Sequence, residues 1–185
     1  MERCDFLLAI RIQGRGGQGA QTAGEILAAA FFRDGNYVQA FSTYGGARRG
    51  TPVSTSIRVD QRPIRLRCDI ENPDVVLCFD PSLLGPALLR GSTADTLVLI
   101  NSGRPPSAFA SLGKFKLATL DALSVAQVNQ LGRIVNTALV GALAGLLARP
   151  RMDVLSRVIA ERNPVRAGQN VKACRDGSRL VIREG

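Results

Sequence analysis

An apolar strand, a glycine-rich loop and a helix-forming stretch follow one another near the start of the chain, and this order constrains the fold more than any other feature. The loop reads GRGGQG at positions 14–19. Gly14, Gly16 and Gly19 have the G-x-G-x-x-G spacing that brings a backbone close to a phosphate at a helix N-terminus. Glycine suits this task because it lacks a Cβ and permits positive φ. The sequence therefore predicts a βα unit whose loop accepts a phosphate-bearing group.

Strand and helix patterns alternate along the rest of the chain, and several strands are continuously apolar, which is typical of a parallel sheet with both faces covered. We predict an α/β fold: a single Rossmann-like domain over residues 1–185, with a mostly parallel sheet covered by helices on both faces. The basic, weakly patterned tail at 165–185 is expected to dock on partner subunits. The predicted strands are 6–13, 37–41, 53–59 (with 63–67 as its hairpin partner), 74–79, 96–100 and 116–119; the predicted helices are 18–32, 82–89, 137–147 (with Asn136 as N-cap) and 153–162.

The absence of certain residue types and spacings excludes several kinds of catalytic and metal site. The 185 residues include no histidine, which removes Ser-His-Asp and Cys-His nucleophile systems and the usual general base. The four cysteines stand far apart with no C-x-x-C pair, so we expect reduced, mostly buried thiols and no metal or iron–sulfur cluster held by this chain alone. If the protein serves catalysis, we expect it to bind and shape a site while another chain supplies the reactive group.

The charge is +9, and most of the basic residues are arginine. The arginines are scattered with few aromatic residues among them, which argues against a nucleic-acid partner. Arginine also pairs well with cofactor phosphates and with carboxylates on a partner chain. The longest apolar run is too short to span a bilayer, and no signal peptide is evident, so we expect no membrane contact and a cytoplasmic location.

Binding of NAD by the glycine loop is disfavoured. A dinucleotide site also needs an acidic residue at the end of the second strand to hold the ribose hydroxyls. Here that strand runs out at Phe41, Ser42 and Thr43, with no Asp or Glu. The extra Gly17 also departs from the usual fingerprint. The loop is left with two interpretations, which are binding of another phosphate-bearing group and packing against a partner's cofactor domain.

Two further segments follow strands and carry candidate polar groups. The loop 44–52 places Arg48 and Arg49 among glycines, where they are suited to reach an anion or a partner's carboxylate, although a solvated surface loop is the alternative. Asp80 directly follows an apolar strand and is interpreted either as a helix N-cap or as a ligand-binding carboxylate. The same two interpretations apply to Asn101.

The order of these motifs resembles the gamma subunit of 2-oxoacid:ferredoxin oxidoreductases, a family that includes enzymes for pyruvate, 2-oxoisovalerate, indolepyruvate and phenylglyoxylate. The resemblance extends from about residue 10 to residue 162. It is carried by four segments: GRGGQG at 14–19, YGGARRGTPV at 44–53, DPSLL at 80–84 and NTAL at 136–139.

The resemblance implies that this chain is one part of a complex. Its thiamine-binding alpha and beta subunits and its iron–sulfur subunit hold thiamine diphosphate and the clusters, and the complex decarboxylates a 2-oxoacid oxidatively to an acyl-CoA. The gamma chain is expected to hold no redox centre, to be inactive alone, and to border the route of coenzyme A. Carried over residue by residue, there are no catalytic and no metal-binding residues here, and the cofactor-facing residues are Gly14, Arg15, Gly16, Gly17, Gln18, Gly19, Tyr44, Arg48 and Arg49.

One departure leaves the substrate open. Pyruvate-type members usually read Gly-Pro-Glu-Arg-Arg-Gly in the second loop, whereas this chain has GGARRG at 45–50. The particular 2-oxoacid, the electron acceptor and the stoichiometry are not determined by the sequence. Two other functions stay in competition: a free-standing Rossmann-type nucleotide-binding protein or NAD-dependent reductase, and a purely structural subunit.

Overall fold

Seven strands form one sheet in the part of the chain that the structure, a computed structural model, describes, namely residues 7–44 and 50–184. Five strands run in one direction and β3 and β7 run in the other, which confirms the predicted α/β class with a mostly parallel sheet. The order across the sheet is β2-β3-β1-β4-β5-β6-β7. The strands are β1 (Leu8–Arg15), β2 (Tyr37–Tyr44), β3 (Pro52–Asp60), β4 (Val75–Cys78), β5 (Leu97–Asn101), β6 (Lys116–Leu120) and β7 (Ile182–Arg183).

The α-helices of the described chain all contribute to one core cluster on a single face of the sheet. On the other face, β4 to β6 are covered by 3₁₀ helices and loops, through buried side chains such as Leu88 and Phe109. At β4 to β6, both faces of the sheet are therefore covered, one by α-helices and the other by 3₁₀ helices and loops. No described helix is long and apolar enough to cross a membrane. The α-helices are α1 (Ala20–Arg33), α2 (Ala122–Val128), α3 (Asn136–Leu147), α4 (Met152–Arg162) and α5 (Ala167–Leu180), and the 3₁₀ helices are Pro81–Leu83, Pro106–Leu112 and Pro164–Arg166.

Strand β3 lies between β1 and β2, and this corrects the predicted hairpin with residues 63–67. Both edges of β3 are occupied, because Ile57 pairs with Ala40 on one side and with Ile10 on the other. Residues 63–67 form no strand and cross the sheet face instead, where Gln39 donates a hydrogen bond of 2.8 Å to the carbonyl of Leu66. The alternating pattern of β3 was predicted correctly, but its partners were not.

Helix α5 lies in the tail at 165–185, for which the sequence pattern predicted no helix, and it packs on α3. The contact depends on small residues: a Cβ on Gly141 would collide with the carbonyl of Cys174, and a Cβ on Gly177 would collide with the carbonyl of Ala138. Helix α3 is buried from Asn136 through Ala144, so α5 completes its cover. The docking of 165–185 on partner subunits stays a prediction.

Candidate functional site

The glycine loop lies at the carboxyl edge of the sheet, in the crevice between β1 and β4. From β1 the chain passes through α1 to the β2–β3 side of the sheet, and it then returns to β4 on the other side. Such a reversal of strand order opens a crevice at the carboxyl ends of the strands, which is where α/β folds bind their ligands. Strand β1 continues to Arg15, and α1 begins at Ala20, so the loop is short and held at both ends.

Two glycines are required by the geometry of this loop. A Cβ on Gly14 would lie 3.0 Å from the Cβ atoms of both Ala20 and Phe79, so the start of α1 and the end of β4 approach β1 closely at this point. Gly19 is the N-cap of α1 and has φ of +85°, a conformation that favours glycine. The first amides of α1 have no partner within the helix, and the positive end of its dipole faces the crevice.

Arg15, Gln18 and Asp80 form one hydrogen-bonded network across the crevice. The Nε of Arg15 lies 2.9 Å from Oδ2 of Asp80, and Nε2 of Gln18 donates to the same oxygen at 3.2 Å. The Oε1 of Gln18 accepts the backbone amide of Arg15 at 2.7 Å. The other carboxylate oxygen of Asp80 accepts the backbone amide and the hydroxyl of Ser82 at 3.0 and 2.7 Å. Asp80 is thus an N-cap, as one interpretation held, and it also anchors the glycine loop.

The ionised form of Asp80 is favoured by this network. Burial raises the pKa of the Asp80 carboxyl, but hydrogen bonds from Ser82, Arg15 and Gln18 together outweigh it, so the pKa lies below its ordinary value. The charge of Arg15 is correspondingly balanced by Asp80. Attraction for an anion in this crevice therefore rests on the amides and dipole of α1 and on cations brought from elsewhere.

The second predicted loop leaves and rejoins the fold beside the glycine loop. The amide of Gly16 donates to the carbonyl of Thr51 at 2.9 Å, and the amide of Gly50 donates to the carbonyl of Gly16 at 3.2 Å. Arg15 also donates to the carbonyl of Gly50 at 3.2 Å. The backbone of Tyr44 ends β2 opposite Val53 of β3. Arg48 and Arg49 lie outside the described residues, and Gly50, the first described residue after them, is hydrogen-bonded to the glycine loop.

Two asparagines complete the surroundings of the crevice. Asn101, at the end of β5, donates to the carbonyl of Phe79 at 3.0 Å and accepts the amide of Ala122 at 3.2 Å, so it joins β4 to α2. Asn136 is buried beside the loop, and a Cβ on Gly19 would lie 3.1 Å from its Nδ2. The prediction of Asn136 as N-cap is wrong by one residue: the N-cap is Val135, and the Oδ1 of Asn136 accepts the amide of Thr137 at 2.9 Å.

Three cysteines lie in the part of the chain that the structure describes, and all three are free thiols. Cys78 and Cys174 are buried and Cys68 is exposed, while Cys4 lies outside the described residues. Burial raises the pKa of both buried thiols to about 12. Among the described residues, no group of three or more His, Cys, Asp or Glu side chains is placed to hold a metal ion.

Comparison with known proteins identifies the family. The family model for pyruvate ferredoxin/flavodoxin oxidoreductase matches residues 9–180. This chain belongs to that family. Among its members, the pyruvate synthase subunit PorC of Methanothermobacter marburgensis is 42% identical over 172 residues, which cover 91% of this chain and 94% of that protein. The pyruvate/ketoisovalerate oxidoreductases common subunit gamma of Pyrococcus abyssi is 39% identical over 176 residues, which cover 92% and 95% of the two chains.

Solved structures agree with this membership. The pyruvate oxidoreductase subunit PORC of Thermotoga maritima superimposes with a TM-score of 0.87 at 30% identity, covering 98% of this chain and all of that one. The 2-oxoglutarate:ferredoxin oxidoreductase of Magnetococcus marinus shares the fold over 31% of its own chain, with a TM-score of 0.76 at 20% identity. The predicted resemblance to gamma subunits of 2-oxoacid oxidoreductases is confirmed at family level.

Proposed function

We propose that this chain is the gamma subunit of a thiamine-diphosphate-dependent 2-oxoacid:acceptor oxidoreductase complex, which converts a 2-oxoacid to an acyl-CoA. One observation carries the proposal: the chain matches separate gamma-type subunits over nearly their whole length, with 94% of the Methanothermobacter subunit covered. Alpha and beta subunits hold thiamine diphosphate, an iron–sulfur subunit passes electrons on, and this chain supports assembly and borders the cofactor and coenzyme A pocket. It holds no redox centre and is inactive alone.

The crevice suggests how the chain contributes to that pocket. Gly14 to Gly19 bring the amides of α1 to the carboxyl edge, where a phosphate group of coenzyme A or of a partner's thiamine diphosphate is the matching ligand. Arg15 and Gln18 hold the loop in shape through Asp80. Tyr44, Arg48 and Arg49 are the other predicted site residues; they precede Gly50, which is hydrogen-bonded to Gly16, and the two arginines are the proposed cations, because Arg15 is already paired. Thiamine diphosphate, when bound by the partner chains, supplies the carbanion chemistry.

A free-standing NAD-dependent reductase fits the fold poorly. In a dinucleotide-binding fold, the second strand lies next to the first and ends in the acidic residue that holds the ribose. In this chain that neighbouring position belongs to β3, which runs antiparallel and begins at Pro52 opposite Arg15. The end of β2 is one strand further away. Sequence and topology therefore both argue against a ribose clamp.

Native mass spectrometry of the protein purified gently from its source tests the assignment. We expect the chain to co-purify with thiamine-binding and cysteine-rich chains in a complex that oxidises a 2-oxoacid with coenzyme A. A lone monomer or homodimer that binds NAD would overturn the assignment. The particular 2-oxoacid and the electron acceptor follow from a substrate and acceptor screen of the same complex.

Contribution to the pocket is tested separately from assembly. Arg48→Ala and Arg49→Ala in the intact complex are expected to raise the apparent KM for coenzyme A, because they remove the cations proposed to meet its phosphate groups. Arg157→Ala is the matched control, since Arg157 is an exposed arginine on α4 that pairs with Asp153 at 2.6 Å. If all three variants keep the wild-type KM and turnover, the purely structural role is correct.

A further inference from the structure

Three of the most exposed large apolar side chains converge on one groove between α2, α5 and β7. Val128, Leu180 and Ile182 are 73%, 59% and 53% exposed, and all three line a groove of about 240 Å³. Single exposed apolar residues are normal on a protein surface and need no explanation. Three such side chains around one groove are different, because a single partner that covers this small area would bury all of them at once.

Two carboxylates border this groove in a protein whose net charge is +9. Asp121 accepts hydrogen bonds from the amide and hydroxyl of Ser124, at 3.0 and 2.7 Å. Asp176 accepts from Nδ2 of Asn129 at 2.9 Å. These donors are neutral, and neither carboxylate forms a salt bridge within residues 7–44 and 50–184. The groove therefore presents an apolar floor with negative charge at its border.

The size of the groove favours a side chain over a small ligand. Sites for cofactors and drug-sized molecules are typically about 300–1,000 Å³, and this groove falls below that range. A segment that inserts one large apolar residue and carries a lysine or arginine beside it would match both the floor and the border.

The position of the groove connects it with the candidate site. Ser102 follows β5 and Asp121 follows β6, so the groove lies at the same carboxyl edge as the glycine loop. Strands β1 and β6 are three strand spacings apart, or about 14 Å at the usual separation. A partner that covers the glycine loop along this edge has only a short distance to reach the groove.

We propose that this groove is a docking site for a partner subunit of the oxidoreductase complex, which inserts an apolar side chain flanked by Lys or Arg. The inference rests on the proposed function, because that function supplies the partner. A second copy of this chain is a poor occupant. Symmetric pairing through the groove would bring the Asp121 and Asp176 carboxylates of both copies into one interface with no Lys or Arg of the groove lining to pair with them, which is destabilising.

Co-expression of the whole complex with variants of this chain tests the proposal. Val128→Asp and Leu180→Asp each place a charge on the apolar floor, and we expect the amount of this chain recovered with the other subunits to fall by about tenfold or more. Phe32→Asp is the matched control, because Phe32 is a 68% exposed apolar residue of α1 that lies outside the groove and outside the tail 165–185. Thermal unfolding of each variant is the control for folding, and we expect the wild-type midpoint because the replaced side chains are exposed.

The charge at the border is tested at Asp176. We expect Asp176→Lys to weaken assembly clearly more than Asp176→Asn, which keeps an oxygen acceptor for Asn129, and the difference to shrink at high salt. Normal assembly of both groove variants, or an effect of Phe32→Asp as large as theirs, overturns the docking proposal and leaves the proposed function standing. A homodimer of the wild-type chain that Val128→Asp dissociates makes a second copy the occupant and overturns the proposal. Failure of the wild-type chain to join thiamine-binding subunits overturns the proposed function and this inference with it.

Discussion

Arg15 and Asp80 meet where strands β1 and β4 end, with Nε of the arginine 2.9 Å from Oδ2 of the aspartate. The pair links the ends of two parallel strands across the crevice, and Gln18 is hydrogen-bonded to both residues. The conformation of the glycine loop, which follows β1, therefore depends on the side chain of Asp80, which follows β4.

This dependence is measurable in a double-mutant cycle. Arg15→Met and Asp80→Asn are each expected to destabilise the fold, and the double variant to lose less than the sum of the two. We expect a coupling free energy of about 1 kcal/mol, the size typical of partly exposed pairs. Urea unfolding of the four proteins provides the measurement, and simple additivity would show that the pair contributes nothing.

The pH dependence of stability follows from the lowered pKa of Asp80 and of Asp121. The pKa of Asp121 is lowered mainly by hydrogen bonds from Ser124. A carboxylate with a lower pKa in the folded chain stabilises the fold above its unfolded pKa of about 3.9 and loses that contribution as pH falls through the folded value. We expect the free energy of unfolding to fall below about pH 4, and Asp80→Asn to flatten that decline. An unchanged slope in this variant would contradict the assignment.

Thiol reactivity separates the described cysteines. Because the pKa of Cys78 and of Cys174 is about 12, only about one molecule in ten thousand carries either thiolate at pH 8. Iodoacetamide followed by peptide mass spectrometry should therefore label Cys68 and leave these two thiols unlabelled in the native protein. The same reaction in 8 M urea, a chosen condition for full unfolding, is the control in which all should react. Labelling of Cys78 under native conditions would count against its burial.

Two glycine substitutions test the close contact between α3 and α5. Gly141→Ala places a methyl group against the carbonyl of Cys174, and we expect a loss of about 1–3 kcal/mol in the free energy of unfolding. Gly168→Ala makes the same change in α5, where nothing lies within 4 Å, and is expected to be neutral or stabilising by up to about 1 kcal/mol. Urea unfolding compares them, and equal effects would contradict the close approach of the helices.

Arg58 fastens the segment after β3 to the sheet. It is 3% exposed, donates to Gln39 at 2.8 Å and to the carbonyl of Cys68 at 2.6 Å, and stacks over Phe41. Arg58→Met removes both hydrogen bonds, and we expect faster tryptic cleavage after Arg65, together with a loss of about 1–3 kcal/mol. Cleavage at the wild-type rate would show that the segment is held by other contacts.

The glycine loop was predictable because its signal is local. A strand, a run of glycines and a helix are adjacent in sequence, and glycine is needed at Gly14 and Gly19 for reasons of space and backbone angle. The placement of β3 between β1 and β2 was not predictable, because its alternating pattern does not say which strands it pairs with. The link from Arg15 to Asp80 is equally non-local, although Asp80 was a candidate by its position after a strand.

Helices α2 and α5 were missed for different reasons. Helix α2 has only seven residues, and its N-cap, Asp121, is an aspartate that the sequence offers no reason to prefer over others. Helix α5 buries small residues, Ala173, Cys174 and Gly177, so it lacks the large apolar side chains from which helical periodicity is recognised. Arg48 and Arg49 remain predicted site residues, as do the glycines, until a ligand is observed.

The packing of α5 over α3 also has a consequence during synthesis. A nascent chain that has emerged through Leu147 already contains the most apolar helix of the fold, while the segment that covers it follows only after α4. Until that segment has emerged from the ribosome, α3 exposes apolar side chains that can associate with other proteins. The protein is therefore expected to depend on chaperones late in translation, and to aggregate when translation stalls between α4 and α5.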